Sequence, residues 1–183
     1  MDILSEKKLL DRLRKGDRDA QRRLYERFAP MMMAICHRYI PDRDSAEDVV
    51  QECFIKVFGK IGDFEPKGKG SLSAWLSRIA ANTAISWLRE RKRLGFEPLT
   101  ELEIAEEEEP SYQGLSQADI QAAIRSLPDG YRLVLNMYVF EQMSHAEIAA
   151  ELGITEGTSA SQLHRARNLL WKKLKTWKTG QKD

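Results

Sequence analysis

Residues 143–182 have the sequence MSHAEIAAELGITEGTSASQLHRARNLLWKKLKTWKTGQK, in which two short helical patterns are separated by a glycine. Ser144 and Glu147 have the spacing of a capping box, which predicts that the first helix begins there. Gly153 predicts its end. The stretch therefore predicts two consecutive helices joined by a short turn.

The second of these helices combines an apolar face with a polar and basic face. Thr155 or Thr158 is expected to cap it. Its apolar residues recur at helical spacing and predict one buried stripe, which consists of Leu163, Ala166, Leu170 and Leu174. At about 100° per residue, the residues roughly opposite are Thr158, Ser161, Arg165 and Lys172. Residues 157–182 contain seven Lys or Arg and no acid. This pattern is typical of a helix-turn-helix that inserts a helix in the major groove of DNA; a solvated, basic helix end is the alternative.

Composition bounds the class of protein. The 183 residues are 42% hydrophobic and 31% charged, which is typical of a soluble globular chain. No apolar run approaches the roughly 20 residues that span a bilayer, and the charged, amphipathic N-terminus differs from a signal peptide, so a cytoplasmic location is expected. Cys36 and Cys53 lie within apolar helical patterns without a CxxC motif, so they are interpreted as buried core residues. No metal site and no cofactor are expected.

Charge is segregated along the chain, although the formal net charge is only +1. Basic residues end the first half, and residues 97–109 then hold seven acids and no base. This acidic segment is interpreted as a linker, either a solvated connector or a segment that mimics nucleic acid or keeps the basic faces apart. Helical spacing throughout predicts an all-α fold of two small domains joined by an acidic flexible linker. The expected ranges are 1–93 for the first domain, 94–115 for the linker and 116–177 for the helix-turn-helix domain.

One predicted helix in the first domain has an outer face that its core does not explain. Asp44 or Ser45 is expected to cap it, and six apolar residues predict its buried face: Ala46, Val49, Val50, Cys53, Phe54 and Val57. The residues that remain outside include Asp48, Gln51, Glu52, Ile55 and Phe58. Acids in the first turn of a helix interact favourably with the helix dipole, but this does not explain Gln51, Ile55 and Phe58. A protein-binding face is therefore predicted.

A glycine- and lysine-rich loop, Asp63 to Gly70, precedes a further helix that Ser71 is expected to cap. Lys67 and Lys69 on such a loop suit either an unpaired base or a mobile surface loop.

Together these segments resemble the extracytoplasmic-function (ECF) sigma factors, the promoter-specificity subunits of bacterial RNA polymerase. Residues 45–58, SAEDVVQECFIKVF, look like that family's core-polymerase motif, and residues 75–84, WLSRIAANTA, look like its promoter-melting helix. Three further segments resemble the family's promoter-reading domain: SLPDGYRLV (126–134), MSHAEIA (143–149) and GTSASQLHRAR (157–167). The resemblance covers nearly the whole chain in the family's order.

The resemblance implies binding to core RNA polymerase, promoter DNA and an anti-sigma factor. The residues that would dock on the polymerase are Asp48, Gln51, Glu52, Ile55 and Phe58. The loop from Phe64 to Ser71 would capture a base flipped from the minus-ten element. The residues implied there are Phe64, Lys67, Lys69, Ser71, Arg78, Asn82, Arg89, Arg91 and Lys92.

In the second domain, the resemblance implies that a recognition helix reads the minus-thirty-five element. Its base-reading residues would be Ser161, Gln162, His164 and Arg165, and its phosphate-binding residues would be Thr158, Arg167 and Lys172. The chain departs from the family at Ser159 and Ala160, where an aliphatic residue and then a base are usual, and at Gln162, where Arg is frequent. The promoter sequence therefore does not follow from relatives.

Three other interpretations stay open at this point. A stand-alone helix-turn-helix regulator leaves the polymerase-like motif unexplained. A nucleic-acid hydrolase that uses Asp44, Glu47 and Asp48 lacks a supporting histidine or a second acidic cluster. An interaction module controlled by an inhibitor is compatible with the resemblance. The resemblance implies that the protein has no catalytic activity of its own.

Overall fold

Helices make up most of the computed structural model, which describes residues 3–91 and 116–180. In chain order they are α1 (Ile3–Arg14), α2 (Arg18–Tyr39), α3 (Arg43–Lys60), α4 (Ser71–Arg91), α5 (Gln117–Arg125), α6 (Asp129–Val139), α7 (His145–Leu152) and α8 (Glu156–Gly180). These described residues contain no strand. The predicted all-α fold is confirmed.

The chain divides into two compact units, Met1–Trp87 and Leu88–Asp183. The finer boundaries expected from the sequence, 1–93 and 116–177, stay predictions. The acidic segment within 94–115 lies outside the described residues.

The N-terminal unit is built on two long helices whose apolar residues recur every three or four positions. Asp17 caps α2 by accepting hydrogen bonds from the backbone N–H groups of Asp19 and Ala20. The buried residues of α2 are Ala20, Leu24, Phe28, Met32, Cys36 and Tyr39, and α3 packs against this helix. The six apolar residues predicted for the buried face of α3 are all buried, so that part of the sequence analysis is confirmed.

The predicted cap of α3 is wrong by two or three residues. Asp42, not Asp44 or Ser45, is the N-cap, and its carboxylate accepts a hydrogen bond of 2.9 Å from the backbone N–H of Ser45. Asp42 follows Pro41 and has the extended backbone that an N-cap needs, with a ψ of 122°. Asp17, the N-cap of α2, has a similar ψ of 116°. Asp42, Asp44 and Ser45 are all residue types that favour the N-cap position, and the backbone conformation at Asp42 decides between them.

Helix α4 is held against α2 by sulfur contacts as well as by its apolar residues. The hydroxyls of Ser73 and Ser77 lie 3.3 Å and 3.7 Å from the Sδ atom of Met31. The thiol of Cys36 lies 4.0 Å from the carbonyl oxygen of Ala80. Both cysteines are free and buried, which confirms their interpretation as core residues. A hydrogen bond with Cys53, followed by burial, raises the pKa of Cys36 far above its ordinary value.

Helix α7 begins and ends where the sequence predicts, and one of the two residues expected to cap α8 is confirmed. Ser144 and Glu147 form the capping box of α7, and Gly153 ends that helix with a φ of 67°, a conformation that favours glycine. Thr155 then caps α8, because its hydroxyl accepts a hydrogen bond of 3.0 Å from the N–H of Thr158. Such caps contribute about 1 kcal/mol each. Helices α5, α6 and α7 all pack against α8.

One buried cation holds the turn between α5 and α6. Arg132 is 2% exposed, donates to the carbonyl oxygens of Leu127 and Arg125, and forms an ion pair with Asp129. Burial is the largest influence on this guanidinium and lowers its pKa. Its role is structural, since these three partners lie at the end of α5, in the turn and at the start of α6.

Candidate protein-binding and nucleic-acid-binding surfaces

The outer face of α3 carries the five residues predicted to bind a protein, and they fall within about one third of the helix circumference. Asp48, Gln51 and Glu52 are exposed, and Phe58 is half-buried. Ile55 is 73% exposed, which is unusual for a large aliphatic residue on a helix that otherwise buries its apolar side chains. We call this set, Asp48, Gln51, Glu52, Ile55 and Phe58, the α3 face.

The α3 face is supported from below by an aromatic row. The ring of Phe58 lies 5.9 Å from that of Phe54, which in turn lies 4.7 Å from Tyr25 of α2. Glu52 pairs with Lys56 at 2.6 Å, but both side chains are 40–50% exposed (48% and 42%) and such a pair is weak. The acids of this face therefore remain available to a partner.

A groove between α2 and α3 adjoins the α3 face. It has a volume of about 480 Å³, and the residues that line it are Tyr25, Glu26, Ala29, Pro30, Met33, Glu47, Val50 and Gln51. Gln51 belongs to both features. The sequence analysis missed Tyr25, which is 45% exposed. The sequence signal that could have found Tyr25 was its position directly after Leu24, which puts an aromatic side chain beside the buried stripe of α2.

The loop before α4 differs in part from its prediction. Lys67 and Lys69 are exposed, and Ser71 is half-buried. Phe64, however, is only 8% exposed, because its ring packs 4.8 Å from that of Trp75. Its expected contact with a flipped base is corrected accordingly: in this structure the side chain of Phe64 anchors the loop instead.

Helix α4 presents a polar row that starts at the end of this loop. Arg78, Asn82 and Arg89 are exposed, and with Ser71 they lie within about 40° of one another around the helix axis. The structure thus puts four of the predicted DNA-contacting residues on one stripe. Arg91 ends α4; its side chain and the whole of Lys92 lie outside the described residues.

Most predicted contact residues of α8 lie on its outer side. Arg167 and Lys172 are exposed, and four further residues are half-exposed: Thr158, Ser161, His164 and Arg165. Gln162 is 2% exposed and its Oε1 atom has no hydrogen-bond partner. Base reading by Gln162 is therefore wrong for this conformation, because α8 buries a wider arc than its apolar stripe alone.

One hydrogen bond and two ring contacts link Ser159 to His145, Tyr138 and Arg167. Ser159 is fully buried, and its hydroxyl lies 3.0 Å from Nδ1 of His145 at the start of α7. His145 stacks on Tyr138, with ring centroids 4.8 Å apart, and the guanidinium of Arg167 lies 5.8 Å from the same Tyr138 ring. Polar contacts thus replace aliphatic packing where α7 meets α8.

The sequence analysis also missed Asn168 on the outer side of α8. Its Nδ2 lies 3.0 Å from Nε2 of His164, one helical turn earlier. Asn168 follows Ser161 by seven residues, two helical turns, which was the signal that could have found it. An asparagine amide offers a donor and an acceptor to a base edge.

Among the described residues, no group of three His, Cys, Asp or Glu side chains is arranged to hold a metal ion. Across the same residues, none of the helices combines the length and the hydrophobicity required to span a membrane.

Comparisons with known proteins agree with the division into two units. The family model for Sigma-70 region 2 matches residues 24–94, and the model for Sigma-70 region 4 matches residues 112–170. The ECF RNA polymerase sigma factor SigW of Bacillus subtilis is 32% identical over 182 residues, which is 92% of this chain and 96% of that protein. The ECF RNA polymerase sigma factor SigE of Mycolicibacterium smegmatis is 33% identical over 80% of this chain, and the match spans 58% of that longer protein.

Among solved structures, the sigma factor RpoE in complex with the anti-sigma factor NepR from Bartonella quintana is 28% identical, with a TM-score of 0.48. The match covers 84% of this chain and 96% of that one.

Proposed function

This chain belongs to the ECF family of RNA polymerase sigma factors, and we propose that three of its surfaces divide the tasks of initiation. As an alternative sigma factor it directs transcription together with RNA polymerase and promoter DNA. The proposed surfaces are the α3 face, the loop with the polar row of α4, and the outer side of α8. To these surfaces we assign the binding of polymerase and promoter DNA and the melting of the promoter. We further propose that this chain catalyses no reaction and that it acts in the cytoplasm, beside the polymerase.

Docking on core polymerase is assigned to the α3 face, and the exposure of Ile55 is the observation that carries this assignment. A side chain that stays 73% exposed gains little from folding, but burial of an aliphatic side chain stabilises a complex by about 1.5–3 kcal/mol. Acids around such an apolar centre suit a basic partner surface. The family's docking partner, the clamp helices of the largest polymerase subunit, is the proposed occupant.

Melting at the minus-ten element is assigned to the loop and to α4. Extrusion of a base costs a few kcal/mol, so the loop must offset that cost. Exposed Lys67 and Lys69 supply cations near the base, while Arg78, Asn82 and Arg89 follow the strand along α4. Arg91 and Lys92 stay predictions of the same kind.

Reading of the minus-thirty-five element is assigned to α8 without Gln162. Ser161, His164 and Arg165 face the base edges, and we add Asn168 through its contact with His164. Phosphate contacts fall to Thr158, Arg167 and Lys172. Because Ala160 and Gln162 stand where the family often carries a basic residue, this unit alone should bind DNA more weakly, and with a shallower dependence on salt, than the same unit of relatives. An anti-sigma partner, expected from the family resemblance, stays a prediction.

Charge reversal on the α3 face tests the docking assignment. Glu52→Arg should lower the affinity for core polymerase about tenfold or more, because it puts a cation against a basic partner. Glu65→Arg, on an exposed loop residue outside the face, is the matched control and should bind core like the unaltered protein. Both are measured by fluorescence anisotropy with labelled protein and no DNA. Equal affinity for the two variants would remove Glu52 from the docking site.

A further inference from the structure

The end of α1 is tied to the loop before α4 by one long-range hydrogen bond. Nη2 of Arg14, the last residue of α1, donates to the carbonyl oxygen of Phe64 at 2.7 Å, across 50 positions of sequence. Nη1 of the same guanidinium lies 3.7 Å from Asp11, one turn earlier. The two nitrogens of Arg14 therefore face two partners at once. A guanidinium has this fork of donors, whereas a lysine ammonium acts as a point charge.

Phe64 is fixed from both sides. Its carbonyl is held by α1, and its buried ring packs on Trp75 of α4 at 4.8 Å. All six residues that follow, 65–70, are exposed. Phe64 is thus the last point at which the chain is anchored before the loop enters solvent.

The far end of the loop is fixed as well. The hydroxyl of Ser71 accepts a hydrogen bond of 3.1 Å from the N–H of Lys67, and the N–H of Ser71 donates to the carbonyl of Gly68 at 3.2 Å. Gly68 and Gly70 have φ values of 123° and 85°, which side-chain-bearing residues rarely adopt. The loop therefore has a defined shape that depends on its two ends.

We propose that Arg14 is a positioning residue for promoter melting: it fixes the carbonyl of Phe64 and thereby holds loop 65–70 in the shape that receives the unpaired base. This inference rests on the proposed function of the loop. Ordering a flexible loop residue costs about 1–2 kcal/mol, so a loop that is shaped before DNA arrives captures the base more tightly. Arg14 itself touches no DNA in this account.

The test measures the affinity of holoenzyme for a single-stranded oligonucleotide that carries the minus-ten non-template sequence of a promoter selected by the unaltered holoenzyme. The comparison probes are a set of the same oligonucleotide in which each position of the element in turn lacks its base. Arg14→Leu should weaken binding of the complete oligonucleotide about three- to tenfold. On the oligonucleotide that lacks the captured base, the loss should vanish, because there is no base for the loop to position.

Arg14→Lys serves as the second variant and should weaken binding less than Arg14→Leu, because it keeps one cationic donor. Core binding by each variant is measured first and should be unchanged. An equal loss on the complete and abasic oligonucleotides, or no loss at all, would overturn the positioning role. If the unaltered holoenzyme itself binds every abasic probe as tightly as the complete one, base capture by this loop is wrong and the inference about Arg14 falls with it.

Discussion

The hydrogen bond between Ser159 and His145 accounts for a polar residue at a position where relatives usually carry an aliphatic one. Ser159 is 0% exposed, so its hydroxyl has lost its contacts with water. Nδ1 of His145, 3.0 Å away, takes the place of that water. The two residues are therefore best understood as a pair that joins α7 to α8.

We predict that His145→Phe destabilises the attachment of α8 by about 1–3 kcal/mol, because it leaves a buried hydroxyl unpaired. Amide hydrogen exchange, followed in peptides from α8, measures this free energy of opening. Adding Ser159→Val should recover most of the loss, since both polar groups are then removed together. Losses that simply add in the double variant would show that the two side chains are not coupled.

Glu147 gives the capping box of α7 a pH dependence. The backbone N–H of Ser144, and then its hydroxyl, lower the pKa of Glu147 from 4.5. A carboxylate with a lowered pKa stabilises the folded state above its ordinary pKa, and this stabilisation is lost as the pH falls through the lower, folded value. The cap should therefore weaken below about pH 4.5.

The predicted measurement is the titration of the Glu147 carboxyl group by NMR. In the unaltered protein its pKa should lie below 4.5, and Ser144→Ala should move it upward, because that substitution removes the hydroxyl partner. Asp119, the acid of the capping box at the start of α5, is the internal reference, and its lowered pKa should be the same in both proteins. A Glu147 pKa that ignores the substitution would contradict the role given to the hydroxyl.

We propose that the outer side of α8 combines residues that read bases with residues that bind phosphates. We predict that Arg165→Ala relaxes the choice of base at one position and costs about 1–3 kcal/mol on the preferred promoter only. Lys172→Ala is the comparison: it should weaken binding to all promoter variants alike and reduce the slope of log affinity against log salt by about 1. Holoenzyme binding to a panel of minus-thirty-five variants measures both. A uniform loss for Arg165→Ala would reassign that residue to phosphate contact.

The sequence predicted helix termini well where one residue type determines them. Gly153 and the box of Ser144 with Glu147 were confirmed because glycine and reciprocal side-chain bonds act locally, whatever packs nearby. The cap of α3 was missed because several residues that favour the N-cap position compete there, and the backbone after Pro41 favours Asp42.

Burial was harder to predict than helical position, since it depends on contacts from other elements. Gln162 was assigned to base reading from the family resemblance, although it lies beside the apolar stripe of α8. The neighbouring helices widen the buried arc and include it. Phe64 was assigned to DNA from its place in the loop, but its ring has Trp75 to pack against. The contact of Arg14 with Phe64 joins residues 50 positions apart, and no local pattern announces it.

The molecule as a whole combines nearly zero net charge with local basic surfaces. Its formal charge is +1, although α4 and α8 both present cations. A protein of this charge gains little long-range attraction to DNA, so its affinity for promoter DNA must come from a few contacts in each unit and from binding to the polymerase. This arrangement suits a subunit that acts on promoters only within a larger enzyme.

Transcription in vitro from a library of random promoters tests that account. Bacterial core polymerase is incubated with the library in the presence and absence of this protein, and the transcripts are sequenced. We predict new transcripts that appear only with the protein and whose templates share elements near positions minus ten and minus thirty-five. The absence of such transcripts, together with no measurable binding to core polymerase, would contradict the account and would favour a regulator that acts on DNA by itself.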